Sequence, residues 1–208
     1  MTQPTPTQIE ASNTPQDAPL PTPILITSRI LIRTLHPKDA ASTALNANSP
    51  VVAKYMSNQF PHPYTLQSAE TWIAMNTPLP IQTNFGICEA SDPSNVIGGI
   101  GLTIGVDVSS HTAEVGFWVG EKYWGKGYAT EVLEAFTQWS FESWEGKDGQ
   151  RLRRLWGKVF SGNNGSMRCF EKCGYAKEGV LKGHAEKRGE VLDMHLFGLT
   201  KADWEARK

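Results

Sequence analysis

Residues 112–144, TAEVGFWVGEKYWGKGYATEVLEAFTQWSFESW, change periodicity along their length. Ala113 to Val119 is an apolar run of strand length. A loop carrying Gly125 and Gly127 follows. From Tyr128 onward Ala129, Val132, Leu133, Phe136 and Trp139 recur at helical spacing, with Glu131, Glu134, Gln138 and Glu142 on the other face. Strand, glycine turn and helix start together make a device for holding an anion. The first N–H groups of a helix lack intrahelical acceptors and carry the positive end of the dipole. Glycines let that backbone approach a phosphate with no Cβ in the way. The expected ligand is a pyrophosphate. Two nucleotide motifs come close and fail: Gly120 to Lys126 fits G-x-x-x-x-G-K, but Gly127 stands where a P-loop needs Ser or Thr, and Thr130 stands where a dinucleotide fingerprint needs its third glycine.

Around this stretch the chain reads as one domain behind a tail. Its 208 residues with 39% hydrophobic content suffice for a full core. A net charge of −1 gives no basic footprint for nucleic acid. No apolar run approaches the ~20 residues of a membrane span. Cys88, Cys169 and Cys173 are an odd, sparse set without metal-site spacing, which fits a reduced cytoplasmic protein and no metal. Residues 1–23 hold six prolines and five threonines, no aromatic residue, and only Glu10 and Asp17 as charges. Such a segment cannot bury enough apolar surface to offset its ordering entropy, so a disordered tail is expected. It lacks the features of a signal or transit peptide.

Order is expected from Ile24. Strands are expected at 28–33, 85–89, 96–106, 113–119, 155–160, 176–181 and 191–199. His36 and Pro37 open a first helix, Thr65 caps a second that runs through Trp72 and Ile73, and 166–173 is a short helix ended by Gly174. Phe60-Pro-His-Pro-Tyr64 must be a loop, and the polar stretch 183–190 joins the last two strands. The order is that of a mixed α/β sandwich.

Lys122-Tyr-Trp-Gly125-Lys-Gly127 resembles the acetyl-coenzyme A motif Q/R-x-x-G-x-G/A of the GNAT N-acetyltransferases, with Lys122 in place of the usual Gln or Arg. Further segments are similar to the branch that holds the Rim-type ribosomal-protein alanine N-acetyltransferases: Arg29 to Arg33, Phe60 to Tyr64 with Trp72-Ile73, Ala113 to Trp118, Gly125 to Glu131, and Asn163-x-x-Ser166 running into Glu171-Lys-Cys-Gly-Tyr175. The likeness spans about Ile24 to Lys208. It implies a GNAT fold, a single mixed twisted sheet of about seven strands with helices on both faces. It implies acetyl-CoA as acetyl donor and a primary amine, such as a peptide or protein N-terminus, as acceptor. The acceptor would attack directly in a ternary complex.

By the same resemblance the donor's thioester and pantetheine would run along the main chain of Phe117, Trp118 and Val119, in a slot where the fourth and fifth strands splay. Its pyrophosphate would meet Lys122, Trp124, Gly125, Lys126, Gly127, Tyr128, Ala129 and Thr130. Asn163 and Ser166 would line the far side, although Asn163 also reads as a turn residue and Ser166 as a cap. His62, Tyr64 and His184 fall in loops that rim the acceptor pocket in this family, whereas His36 and His111 read as exposed. Trp72, Trp139 and Trp156 read as core.

Catalysis needs a neutral amine, a polarised carbonyl and a stabilised thiolate. Glu114 shares its strand face with Gly116 and Trp118. In so apolar a run, desolvation would raise its pKa and suit it to act as base, and relatives carry a glutamate at this place in the fourth strand. The alternative is a structural ion pair with a neighbouring Arg or Lys. Many relatives place a tyrosine acid where this chain has Phe170, which cannot donate a proton. Ser166 is then the candidate donor, unless a water serves or the thiolate leaves unassisted. Two other functions compete: acetylation of a small amine or amino acid, and a non-catalytic module that binds CoA or a peptide.

Overall fold

The computed structural model describes residues 17–77 and 79–207. The expected tail therefore falls mostly outside the described residues. Its last part, from Asp17, runs as coil onto the domain, where the Ala18 carbonyl accepts a hydrogen bond from Lys38 Nζ at 3.3 Å.

Among the described residues one sheet holds eight strands: β1 (Leu25–Ile26), β2 (Ile30–Thr34), β3 (Asn84–Glu89), β4 (Asp92–Ile104), β5 (Thr112–Val119), β6 (Arg154–Phe160), β7 (Ala176–Lys187) and β8 (Glu190–Thr200). Their order is β1-β2-β3-β4-β5-β6-β8-β7. Every neighbouring pair is antiparallel except β5 and β6. The expected seven strands become eight because Leu25–Ile26 folds back on Leu31 and Ile32. Two residues are too few to show a period. The expected fourth and fifth strands are β5 and β6.

Among the described residues six α-helices cover the faces: α1 (Ala40–Ala47), α2 (Pro50–Lys54), α3 (Leu66–Asn76), α4 (Tyr128–Glu142), α5 (Asn164–Lys172) and α6 (Lys201–Glu205). Alternation along β5 shows the two layers. Phe117 packs in the large core with Val132, Leu133 and Phe136 of α4 and Phe170 of α5. Trp118 points to the other face, into the cluster of Leu35, Ala47, Tyr64, Ala69 and Ile73 under α1 and α3. No helix among the described residues is long and apolar enough to cross a membrane.

Two polar devices hold this frame. Arg33 and Asp39 are fully buried and bidentate, at 2.8 and 2.7 Å, and Asp39 also accepts the His36 N–H at 2.7 Å. His36, expected exposed, is completely buried: it caps the turn that leads into α1, its Nδ1 accepting from the Lys38 N–H at 3.1 Å. The second device sits at the end of β7. Lys187 Nζ donates to the carbonyl of Ala53 at 2.6 Å and to that of Met56, and burial pushes its pKa down. It closes the C-terminal end of α2, adding a cation where the helix dipole is negative, although the Ala53 carbonyl also accepts the Met56 N–H at 3.3 Å. Lys187→Met should lower stability by about 1 kcal/mol, read as a lower Tm, with the secondary structure retained.

The β7–β8 connection also corrects an expectation. Residues 183–187, expected in a loop, are strand, and the turn is the pair Arg188–Gly189, both at positive φ (53° and 81°). Such a pair suits the twist of a tight hairpin. From Leu181 to His184 the ribbon is exposed on both sides, so this part of the strand carries no apolar alternation.

Candidate active site

The ladder between β5 and β6 has three rungs, Thr112↔Arg154, Ala113↔Leu155 and Glu114↔Trp156, and then stops. On its other edge β5 stays paired with β4 up to Val119↔Gly98. Beyond Glu114 the β6-facing main chain of β5 therefore has no strand partner, and the two strands splay. A cleft of about 1640 Å³ opens there. One wall is Phe117, whose ring lies 5.7 Å from that of Phe170. The other is an aromatic stair: Trp118 meets Phe60 edge-on at 5.9 Å, and Phe60 meets Tyr64 at 4.8 Å. Gly116 faces open space, with nothing near the place its Cβ would take.

The glycine loop closes one end of the cleft. Gly125 and Gly127 both stand at positive φ, 75° and 80°. Gly127 is the N-cap of α4 with no side-chain cap, and the first helical bond runs from the Glu131 N–H to the Gly127 carbonyl at 3.1 Å. The N–H groups of Tyr128, Ala129 and Thr130 thus have no helical acceptor, and all three residues line the cleft. Unpaired N–H groups at a glycine-led helix start are the geometry an anion would need.

Lys122 and Lys126, expected to touch the ligand, do not line the cleft. Their ammonium groups lie over the Tyr123 ring at 4.9 and 5.2 Å. Trp124 braces the loop instead, its Nε1 donating to the Val119 carbonyl at 2.7 Å. Arg29 was not singled out from the sequence, yet it locks the loop: Nε donates to Glu131 at 2.7 Å and Nη1 to the Lys126 carbonyl at 2.9 Å. Only the fold brings residues 29 and 126 together.

Across the slot, Asn163 caps α5, its Oδ1 accepting the Ser166 N–H at 3.2 Å. The capping role belongs to Asn163 and not to Ser166, whose hydroxyl stays available in the cleft wall. Asn163→Ala should cost about 1 kcal/mol of stability, seen as a lower Tm. Phe170 is 2% exposed and stacks on Phe197 at 5.4 Å, so this ring is packing.

Glu114 lines the cleft, but it is not the lone carboxylate expected. Lys158 Nζ, two residues beyond the last β6 rung, donates to its Oε2 at 3.0 Å; the side chains are 43% and 19% exposed for Lys158 and Glu114. Glu114 and Lys158 are the only Asp, Glu, Lys or Arg among the described residues lining the cleft. Of the three expected acceptor contacts, Tyr64 lines it and is nearly buried, which pushes its phenol pKa up. His62 and His184 are exposed and lie outside the lining, His184 because its segment belongs to the β7–β8 ribbon. Trp72, expected in the core, is 42% exposed and lines the cleft beside Met75. Ala69 and Ile73 take the core face of α3, and Trp72 sits at the cleft edge of that helix.

Residues 29–176 match the family model described as Acetyltransferase (GNAT) domain. The chain is 28% identical over 183 residues to the uncharacterized N-acetyltransferase p20 of Bacillus licheniformis, covering 86% of this chain and 97% of that protein. It is also 28% identical over 120 residues to the [ribosomal protein uS5]-alanine N-acetyltransferase of Escherichia coli, covering 58% of each. Among solved structures it is similar to the microcin C7 self-immunity acetyltransferase MccE in complex with acetyl-CoA and AMP, with a TM-score of 0.67, 20% identity and coverage of 84% and 93%.

Proposed function

Because the chain belongs to the GNAT family of acetyltransferases, whose members acetylate amines from acetyl-CoA, we propose that it acetylates the N-terminal amine of a peptide or protein, in a ternary complex at the β5–β6 splay. The observation that carries the finer reading is the charge of the cleft: one carboxylate and one ammonium, facing each other, among otherwise neutral lining residues. A polyamine acceptor calls for several acidic partners. A free amino acid calls for a basic partner for its carboxylate, and among the described lining residues only Lys158 could serve, at the cost of its pair with Glu114. A peptide N-terminus brings one ammonium and then a neutral chain, which suits the aromatic stair and the polar side chains of Asn58, Gln59, Gln67 and Thr71 beyond it. The name of the uS5-alanine relative agrees with this reading.

The residues fit acetyl-CoA by their backbone. The uncapped start of α4, with glycines at positive φ, receives a pyrophosphate, and the unpartnered main chain of β5 from Gly116 to Trp118 receives an extended amide arm. Acetyl-CoA supplies an activated acetyl group. Glu114 takes the proton that makes the acceptor amine nucleophilic. On the far side, Asn164 and Gly165 open α5 without helical acceptors for their N–H groups, and both line the cleft with Ser166. Their positive dipole end favours a thiolate, and we assign to the Ser166 hydroxyl the proton it takes up. A tyrosine at position 170 is then dispensable, since a thiol is a tolerable leaving group near neutral pH. No metal enters this scheme, and we place the enzyme in the cytoplasm, where unpaired Cys88, Cys169 and Cys173 stay reduced.

A thiol-release assay with acetyl-CoA tests this against peptides beginning with alanine or serine, free amino acids and polyamines. Peptides should rank first. A preference for spermidine or a free amino acid would overturn the acceptor class, and a failure of every acceptor in a broad panel to raise thiol release would leave a CoA-binding module.

A further inference from the structure

Lys158 is the one cleft lysine among the described residues, and its position is unusual for a surface charge. The β5–β6 register pairs Glu114 with Trp156. Two residues on, Gly116 and Lys158 would be the next pair on the same face, but the strands have parted. Lys158 therefore stands on the lip of the splay opposite a residue with no side chain, whose Cβ position is open space. From there its ammonium reaches diagonally to Glu114 Oε2 at 3.0 Å. An acceptor amine at this site needs the same relations: an ammonium hydrogen-bonded to the base, beside the main chain that receives the thioester arm.

We propose that Lys158 occupies the acceptor ammonium's seat in the free enzyme, and that its Nζ is acetylated by the chain's own bound acetyl-CoA when no other amine displaces it. The inference rests on the function proposed above. Glu114 takes a proton from the Lys158 ammonium, and the nitrogen lone pair forms a bond to the thioester carbonyl carbon. The C–S bond breaks, and CoA leaves as thiolate and is protonated. The products are Nζ-acetyl-lysine, free CoA and one proton. Lys158 can leave the seat as well as fill it. Its side chain is 43% exposed, and its ammonium also lies 5.9 Å from the Trp156 ring, an alternative perch worth about as much as an exposed ion pair. An incoming ammonium therefore competes with Lys158 for one carboxylate. Acetylation removes that charge and leaves Glu114 without its internal partner.

The test incubates the full chain with acetyl-CoA and no acceptor, follows intact mass, and maps the acetylated lysine by peptide mass spectrometry. One acetyl group should appear per chain, on Lys158 before any other lysine. Glu114→Gln should slow its appearance by ~10²-fold, Lys158→Arg should lose it, and an alanine-initiated peptide should slow it in the wild-type chain. Acetyl groups spread evenly over exposed lysines, or appearing as fast in Glu114→Gln, would overturn the inference. Calorimetric titration with acetyl-CoA and thiol release with the peptide keep the two readings apart. Binding and peptide turnover, together with Lys158 left unmodified in the acceptor-free incubation, would sink this inference alone, whereas absence of binding would sink both.

Discussion

Gly127→Val is expected to weaken CoA binding ten-fold or more, about 1.4 kcal/mol, with the fold retained. Two independent costs act at this position. Gly127 stands at φ +80° as the N-cap of α4, and a β-branched side chain is a strained occupant of that region. The loop must then shift, and with it the N–H groups of Tyr128, Ala129 and Thr130 that form the cradle. The Cβ would also enter the space beside those groups, where the nearest atom is Arg29 Nη2 at 3.6 Å. The fold should survive because α4 is anchored farther along by Val132, Leu133 and Phe136, all fully buried. Gly125→Val, at φ +75° with nothing within 4 Å of its Cβ position, isolates the strain, since no neighbour stands beside it there. Isothermal titration with CoA reads both variants. Affinity within two-fold of wild type would mean the phosphates lie elsewhere. Chelator should leave binding unchanged, because Gly127 occupies the place of a P-loop's metal-binding hydroxyl.

What was legible in the sequence were features that depend on near neighbours. The strand–glycine–helix stretch reads from its own periods, and its positive φ values follow from two glycines that bear no other burden. Thr65 as a cap is local in the same way. The features that escaped depend on distant residues. Arg29 stabilises the cradle across a sequence gap of 97 residues, and nothing near position 29 announces it. Lys158 reaches Glu114 only because β6 lies parallel to β5 with the register Glu114↔Trp156. The length of β7 was hidden because a ribbon wet on both sides needs no alternation. Trp72 shows the limit of periodicity, which finds the apolar positions of a helix without saying whether core or cleft lies beneath each.

Glu114→Gln should lower kcat by ~10²-fold, about 2.7 kcal/mol of barrier, and leave acetyl-CoA affinity unchanged. The two outcomes rest on different parts of the cleft. In the proposed reading donor affinity resides in the glycine loop and the β5 main chain, which the amide leaves intact. Proton removal resides in the carboxylate, which the amide cannot replace, although it keeps the shape and can still accept a hydrogen bond from Lys158 or from the acceptor. The acidic limb of the pH–rate profile should disappear with it, since protonation of the base no longer limits turnover. The ion pair with Lys158 supplies the competing account, and magnitude separates the two. A pair with one partner 43% exposed is worth at most about 1 kcal/mol to stability. A purely structural Glu114 would therefore give a small drop in Tm and a kcat within a few-fold of wild type, with the acidic limb preserved. Lys158→Met sharpens the choice, because it removes the pair and keeps the carboxylate. If the pair is what matters, it should reproduce the Glu114→Gln defect. If Glu114 is the base, Lys158→Met frees the acceptor's seat, and KM for the amine should fall while the acidic limb remains.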